Sequence, residues 1–447
     1  MGSAAATTLV VLAFEGPDAY SRAGGLGARV TELTAALARS GYETHLFFVG
    51  DPDLPGHERR EDGRLHLHRW CQWISQYHPG GVYDGEEGKL ADWNRSLVPW
   101  MLSDVVAPAV TAGGNVVVLA EEWQTVASLI ALAREVEARG WGRRVDLVWN
   151  ANHFFGFDRI AWGDLNDAAV ITTVSRYMKS ILDQNGVESR IVPNGIAEIW
   201  FASVDSKAQR CLARTLRQRL TLVKVARWAP DKGWPQAIDA TADLKRGGLR
   251  PILIARGGSE GNREETLSRA LGHGLSVATL VAGDGTANEL AAQITQVADS
   301  DVVLVESFLS IEQQKLLFRV ADAVLANSSV EPFGLVGLET MASGGIAFVG
   351  VTGEDYATPG YDSVAIETAD AGEIVAKLTQ LQAAPAYMHA LRRAVRSAAK
   401  RYSWTAVLRS RLIPLLQLTS GTRPRLLLGG GHAAGATSGQ PAMASSR

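Results

Sequence analysis

The chain is predicted to be an α/β protein of two Rossmann-like domains facing a cleft, and three observations carry that prediction. Its 447 residues exceed one ordinary core, at roughly 100–200 residues per domain. A short apolar run, a glycine loop, a helix-spaced apolar stripe and a second apolar run open the chain, and the same order restarts near residue 220. Between them, 205–219 is charged and helical in pattern rather than rich in Pro and Gly, which sets the boundary near residue 200.

In chain order, the apolar run over 9–14 predicts a first strand. Leu26, Val30, Leu33 and Leu37 then repeat at the spacing of a helix burying one face, Gly41 ends it, and 44–49 is the next strand. Strand, loop, helix and strand make the βαβ unit of a parallel sheet. In the second half a strand over 220–225 leads to a helix with Pro235 in its first turn and Gly247 at its close, then a strand over 251–255. Strands over 302–305, 324–327 and 346–351 follow, with helices over 312–320 and 335–342 between them. Residues 1–200 and 201–400 are therefore the two domains. The end of the chain, 419–447, is dominated by Gly, Ala, Ser and Pro and predicts a disordered tail.

Composition narrows the function. Hydrophobic residues are 46%, charged residues 20% and the formal net charge is -3, so no basic excess draws nucleic acid. Cys71 and Cys211 lie far apart with no CxxC or Cys/His cluster, which suggests neither a disulfide framework nor a zinc site and fits a reducing cytoplasm. The run over 9–14 lacks a basic leader, and no stretch approaches the roughly 20 apolar residues of a membrane helix, so any membrane association is expected to be peripheral.

The sharpest local signal is the segment from Glu331 through Pro332, Phe333, Gly334, Leu335, Val336, Gly337 and Leu338 to Glu339, between a strand and a helix. Two glutamates there bracket a helix N-terminus, whose free amides and positive dipole end favour phosphate, while carboxylates suit sugar hydroxyls. Such a pair by spacing alone is ordinarily a solvated one; the strand-Glu-Pro-Phe-Gly-helix setting is what gives it weight.

This segment resembles the E-x7-E motif of retaining glycosyltransferases of family 4 and of the related glycogen and starch synthases, which have the GT-B fold. Val225 to Gly233 is similar to that family's strand-end segment, in which an arginine and a lysine clamp the donor diphosphate; the resemblance assigns these roles to Arg227 and Lys232. Cations fixed in a cleft stabilise the charge growing on a departing nucleotide, so the resemblance implies no metal. A solvated loop pair is the plainer reading of the same two residues. Arg22-Ala23-Gly24-Gly25-Leu26-Gly27 resembles the synthases' Lys-Thr-Gly-Gly-Leu-Gly loop, which puts Gly24 and Gly25 near the donor; a tight turn is the alternative. Glu121-Glu122-Trp123-Gln124-Thr125 is similar to their His-Asp-Trp-Gln-Thr, with a glutamate at its histidine. The segment ending Asn152-His153-Phe154 is similar to the strand end whose histidine contacts the donor sugar, here His153. Val192 to Ile196 is similar to the stretch before the interdomain crossover, and 401–418 to the helices that return to the first domain.

The resemblance thus implies a retaining, metal-independent transfer of a glucose-like hexose from a nucleotide-diphosphate sugar, UDP or ADP ahead of GDP, onto a carbohydrate or small molecule. No cofactor is expected. His153, Arg227, Lys232 and Glu331 are its catalytic candidates; Gly24, Gly25, Phe333, Gly334, Leu335, Val336 and Glu339 join Arg227 and Lys232 in holding the donor. For the acceptor, aromatic residues at 70–100 stand among acids, and Trp73, Tyr77, Tyr83 and Trp123 are candidate sugar-stacking faces; an aromatic minicore beneath a long loop explains them equally well. A nucleotide-sugar epimerase of the same fold and a glucan-elongating synthase are the alternatives. Oligomeric state is not legible.

Overall fold

The computed structural model describes residues 6–258, 261–283 and 285–419. The first domain is an eight-stranded sheet in the order β3-β4-β2-β1-β5-β6-β7-β8. Its strands are β1 (Thr7–Leu12), β2 (Glu43–Val49), β3 (His57–Arg60), β4 (Leu65–Trp70), β5 (Asn115–Glu121), β6 (Val145–Ala151), β7 (Val170–Thr173) and β8 (Arg190–Ile191). All run parallel except β3, which is antiparallel to β4 at the sheet edge. β1 lies between β2 and β5, in register Leu9 to Val117 and Leu9 to Thr44. Leu9, Val10, Val11 and Leu12 are all fully buried, as expected for a parallel strand covered on both faces.

The second domain is a seven-stranded parallel sheet in the order β11-β12-β10-β9-β13-β14-β15. Its strands are β9 (Leu220–Val225), β10 (Pro251–Arg256), β11 (Val277–Leu280), β12 (Val302–Val305), β13 (Ala323–Ala326), β14 (Ala347–Val349) and β15 (Val364–Ala365). The sequence reading named no strand at β3, β4, β5, β7, β8, β11 or β15; of these, β3 is polar and mostly exposed, and β11 buries only its last residue. β14 covers Ala347–Val349, short of the expected 346–351, and the chain bends over 351–353.

Two crossings join the domains. Ile196 and Trp404 pair through Ile196 N–H to Tyr402 O at 2.9 Å and Trp404 N–H to Ile196 O at 3.1 Å. A Cβ on Gly195 would sit 2.5 Å from the Trp404 ring, so this approach needs glycine. Trp404, Val407, Leu408 and Leu412 then pack against Leu9, Leu33 and Leu37 of the first domain, so the last helix crosses back. The tail expected over 419–447 falls, from residue 420 on, outside the described residues. Among the described residues no helix is long and apolar enough to cross a membrane.

Candidate active site

The segments singled out in the sequence follow the carboxyl ends of central strands, β5 and β6 in one domain and β9 and β13 in the other, where open α/β sheets place ligands.

On the second domain, β9 leads through a turn at Pro230–Lys232 into a helix over Trp234–Arg246. Gly233 joins them at φ +65°, and a Cβ there would come 2.6 Å from the Asn327 carbonyl oxygen, so the turn that aims Lys232 requires glycine. Lys232 Nζ lies 3.0 Å from Glu331 Oε2 and 2.9 Å from Asp231 Oδ2. Burial lowers its pKa, but Glu331 and Asp231 outweigh that and hold the ammonium above the ordinary lysine range. Arg227, just beyond β9, is exposed. Beneath them Lys224 is fully buried; its Nζ donates to Asn327 Oδ1 at 2.7 Å and Leu325 O at 3.1 Å, and burial brings its pKa down to about 7, helped by Lys232.

Glu331 is fixed through its backbone: its N–H donates to Thr352 Oγ1 at 2.9 Å, and that hydroxyl donates to the Glu331 carbonyl at 3.0 Å. Gly334, at φ +78°, opens the helix Leu335–Ser343, and no side chain caps that helix, which leaves its first amides available to an anion. Leu335 and Val336, in its first turn, are half-buried. Phe333 corrects the sequence reading: at 2% exposed it packs against Tyr356 and Tyr402, with ring centroids 5.4 and 6.2 Å away, so its side chain anchors the loop and does not face a ligand. Glu339 is pushed up to about 8 by burial and then by Glu32, a carboxyl of the first domain. Glu32 in turn is raised to about 7 by burial, against a hydrogen bond from the Trp404 indole at 3.2 Å.

On the first domain the glycine loop meets this helix: a Cβ on Gly25 would be 3.7 Å from Leu335 Cδ1. Three of its amides, however, are taken. Glu15 Oε2 accepts from the N–H groups of Ala23, Gly24 and Gly27 at 3.1, 2.9 and 3.0 Å, so the Gly24 amide serves an internal carboxylate rather than a phosphate. His153 follows β6. The Phe155 N–H donates to its Nδ1 at 2.8 Å, which places the proton of a neutral ring on Nε2. Burial lowers its pKa; the charges of Lys232 and Arg227 add to that, while those of Glu331 and Asp231 oppose it. The backbone that carries it is held by Glu122 Oε1, which accepts from Asn152 N–H at 2.7 Å and His153 N–H at 3.1 Å. Glu122 sits at φ +67°, a left-handed conformation costly for a non-glycine residue, and burial pushes its pKa up to about 8. Beside it Glu121 takes Arg29 Nε on both oxygens, at 3.1 and 3.2 Å, and the Asn150 and Asn152 amides at 2.8 and 2.6 Å. Arg29 also donates to Asn194 Oδ1 at 2.5 Å, which ties the Asn194-Gly195 turn into the same network.

The expected acceptor residues separate. Trp73 and Tyr77 are 57% and 73% exposed, and Tyr83 donates to Glu15 Oε1 at 2.8 Å beside the glycine loop. Trp123 is buried under the Arg159 guanidinium, 4.6 Å above its ring, so it offers no face to a sugar. Trp93 is core against Phe14, while Trp70 and Trp100 pack on Phe47 and on each other, with Trp100 still partly open to solvent. Glu15, Arg29 and Glu32 were missed; one weak signal was available, since Glu15 directly follows the first apolar run.

Residues 214–401 match the family described as glycosyl transferases group 1. No curated protein matches the chain. Among solved structures it is similar to sucrose-phosphate synthase from Thermosynechococcus elongatus, at 17% identity and TM-score 0.65 over 93% of this chain and 100% of that one. It is similar also to the catalytic domain of starch synthase IV from Arabidopsis thaliana bound to ADP and acarbose, at 15% identity and TM-score 0.65 over 94% and 100%. Anabaena HepE in complex with UDP-glucose follows at 15% identity and TM-score 0.60 over 92% and 99%. The fold is GT-B, and the class of the protein is glycosyltransferase. The family match lies on the second domain, where Arg227, Lys232 and the Glu331–Glu339 segment stand.

Proposed function

We propose that the chain is a retaining, metal-independent glycosyltransferase of family 4 type that moves a glucose-like hexose from UDP or ADP to a carbohydrate or small-molecule acceptor. The observation that carries this reading is the Lys232–Glu331 ion pair beside the uncapped helix entry at Gly334. In the proposed complex a donor diphosphate takes Lys232 and Arg227 together with the uncapped amides at Gly334 and Leu335. Those donors are fixed before reaction, so charge leaving with the nucleotide meets them without reorganisation. Glu331 is then free to accept sugar hydroxyls, His153 offers its Nε2 proton to the sugar, and Glu339 binds ribose. The solved relatives bound to UDP-glucose and to ADP support these two bases as the candidates.

Thermal-shift titration with UDP, ADP and GDP, each with and without EDTA, tests it. The expected result is a stabilisation by UDP or ADP that EDTA does not diminish and that weakens in Lys232→Ala, followed by sugar transfer from the matching donor. A response to GDP alone, or isomerisation of the donor without any transfer, overturns the reading.

A further inference from the structure

At the β3-β4-β2 edge of the first sheet, four histidines meet on one face. β2 and β4 pair in parallel with His45 opposite His66, and β3 and β4 pair antiparallel with His57 opposite His68. Side chains of a strand alternate faces, so His66 and His68, two residues apart, point the same way. Their rings stack: His45 lies 4.5 Å from His66 and 5.2 Å from His68, at interplanar angles of 20° and 11°, and Phe47 closes over His68 at 4.3 Å. His66 and His68 are buried and His45 partly so, while His57 is exposed on the edge strand. His45 Nδ1 and His68 Nε2 are 3.0 Å apart, and His57 Nε2 and His66 Nδ1 are 3.2 Å apart.

We propose that His45, His66 and His68 form a binding site for one divalent transition-metal ion of the zinc class, with His57 placed to complete the shell. One ligand nitrogen from each of the three lies within 4.8 Å of the others. Tetrahedral zinc with Zn–N of about 2.0–2.1 Å sets its ligand nitrogens roughly 3.4 Å apart, so binding draws these nitrogens together and turns the near-parallel rings so that their in-plane lone pairs converge. Glu43 supplies a second feature of such centres: its Oε1 lies 2.6 Å from His66 Nε2. A ligating histidine typically gives its other ring nitrogen to a carboxylate, which fixes tautomer and ring orientation. Imidazoles without thiolates or a cage of oxygens select zinc, nickel or copper over magnesium or calcium. The ion replaces protons now shared between facing ring nitrogens and pins the polar edge strand β3 to β4 and β2. This is a structural clip outside the cleft, and it leaves the transfer chemistry proposed for Lys232 and Glu331 unchanged.

Equilibrium dialysis of the full chain against Zn(II), with metal analysis, tests the site, alongside Co(II) as a spectroscopic probe. The expected outcome is one zinc per chain, a tetrahedral Co(II) visible spectrum and a zinc-dependent rise in Tm. His45→Ala/His68→Ala is expected to lose the spectrum and the rise, with zinc affinity at least tenfold weaker, while His389→Ala, on an exposed helix position, behaves as wild type. Should the double variant not fold, Glu43→Gln, on an exposed side chain, still serves: about a tenfold loss of affinity with an unchanged metal-free Tm is expected. Failure of the wild type to retain stoichiometric zinc, or wild-type retention by His45→Ala/His68→Ala or by Glu43→Gln, overturns the proposal and leaves a self-paired histidine stack.

Discussion

The two walls of the cleft use their charged groups in opposite ways. On the first domain Glu15, Glu121 and Glu122 are consumed internally: three amides hold Glu15, Arg29 and two asparagines hold Glu121, and the backbone of the His153 turn holds Glu122. On the second domain, among the described residues, the side chains of Lys232 and Glu331 pair with each other and Lys232 with Asp231, Arg227 is exposed, and the helix at Gly334 has no side-chain cap. One wall is a pre-set scaffold; the other is a charged surface that a ligand can re-pair. Buried anions need every partner they have, because an uncompensated one costs several kcal/mol. A half-buried pair at a cleft can exchange one partner for a diphosphate at little cost.

The comparison is sharpened first at Lys232 and Glu331. Lys232→Ala and Glu331→Ala are each expected to lower kcat by roughly 100-fold or more with little change in Tm, as for removal of a pre-set transition-state contact. Wild-type turnover in either would place the working wall elsewhere. Glu121→Ala should do the reverse and act on stability. It strands Arg29 in the core at a cost of about 3–5 kcal/mol, a fall in Tm of roughly 10 °C or more for domains of this size. Unchanged calorimetric stability would show that the first wall is not held by this network.

Next comes the carboxyl pair that spans the walls. Burial raises Glu32 to about 7 and Glu339 to about 8, well above the ordinary carboxylate range. Groups raised in the folded state contribute stability that is whole below the unfolded pKa and lost as pH climbs through the folded one. Tm should therefore fall between pH 5 and pH 8, and Glu32→Gln should flatten that slope; an equal slope in the variant would remove Glu32 from the cause. The smallest effect belongs to Arg176, which meets Asp355 across the domains at 3.0 Å but is itself largely exposed. Arg176→Ala is expected to cost about 1 kcal/mol or less and to register, if anywhere, in donor KM; a large loss of Tm would mean this link sets the domain arrangement.

Much of the candidate site was legible because its chemistry is local. Arg227 and Lys232 lie five residues apart on one strand-to-helix turn, and Glu331, Gly334 and Glu339 lie on one helix entry, so short-range pattern and resemblance reach them together. Phe333 and Trp123 were misjudged for a shared reason: an aromatic ring beside a motif can line the cleft or anchor the loop beneath it, and burial against Tyr356 or Arg159 decides which. That Glu15, nine residues earlier, returns to take the Gly24 amide was not legible in the loop motif.

By itself the sequence determined two parallel sheets with helices over them, from apolar periodicity that each element carries within its own span. It determined too which strand-to-helix turns bear cations and carboxylates. Tertiary structure alone decided which of those groups remain free, since a partner such as Arg29 for Glu121 comes from 92 positions away. It likewise decided that His45, His57, His66 and His68 share a face, because strand register is set by long-range pairing and no fixed spacing along the chain encodes it.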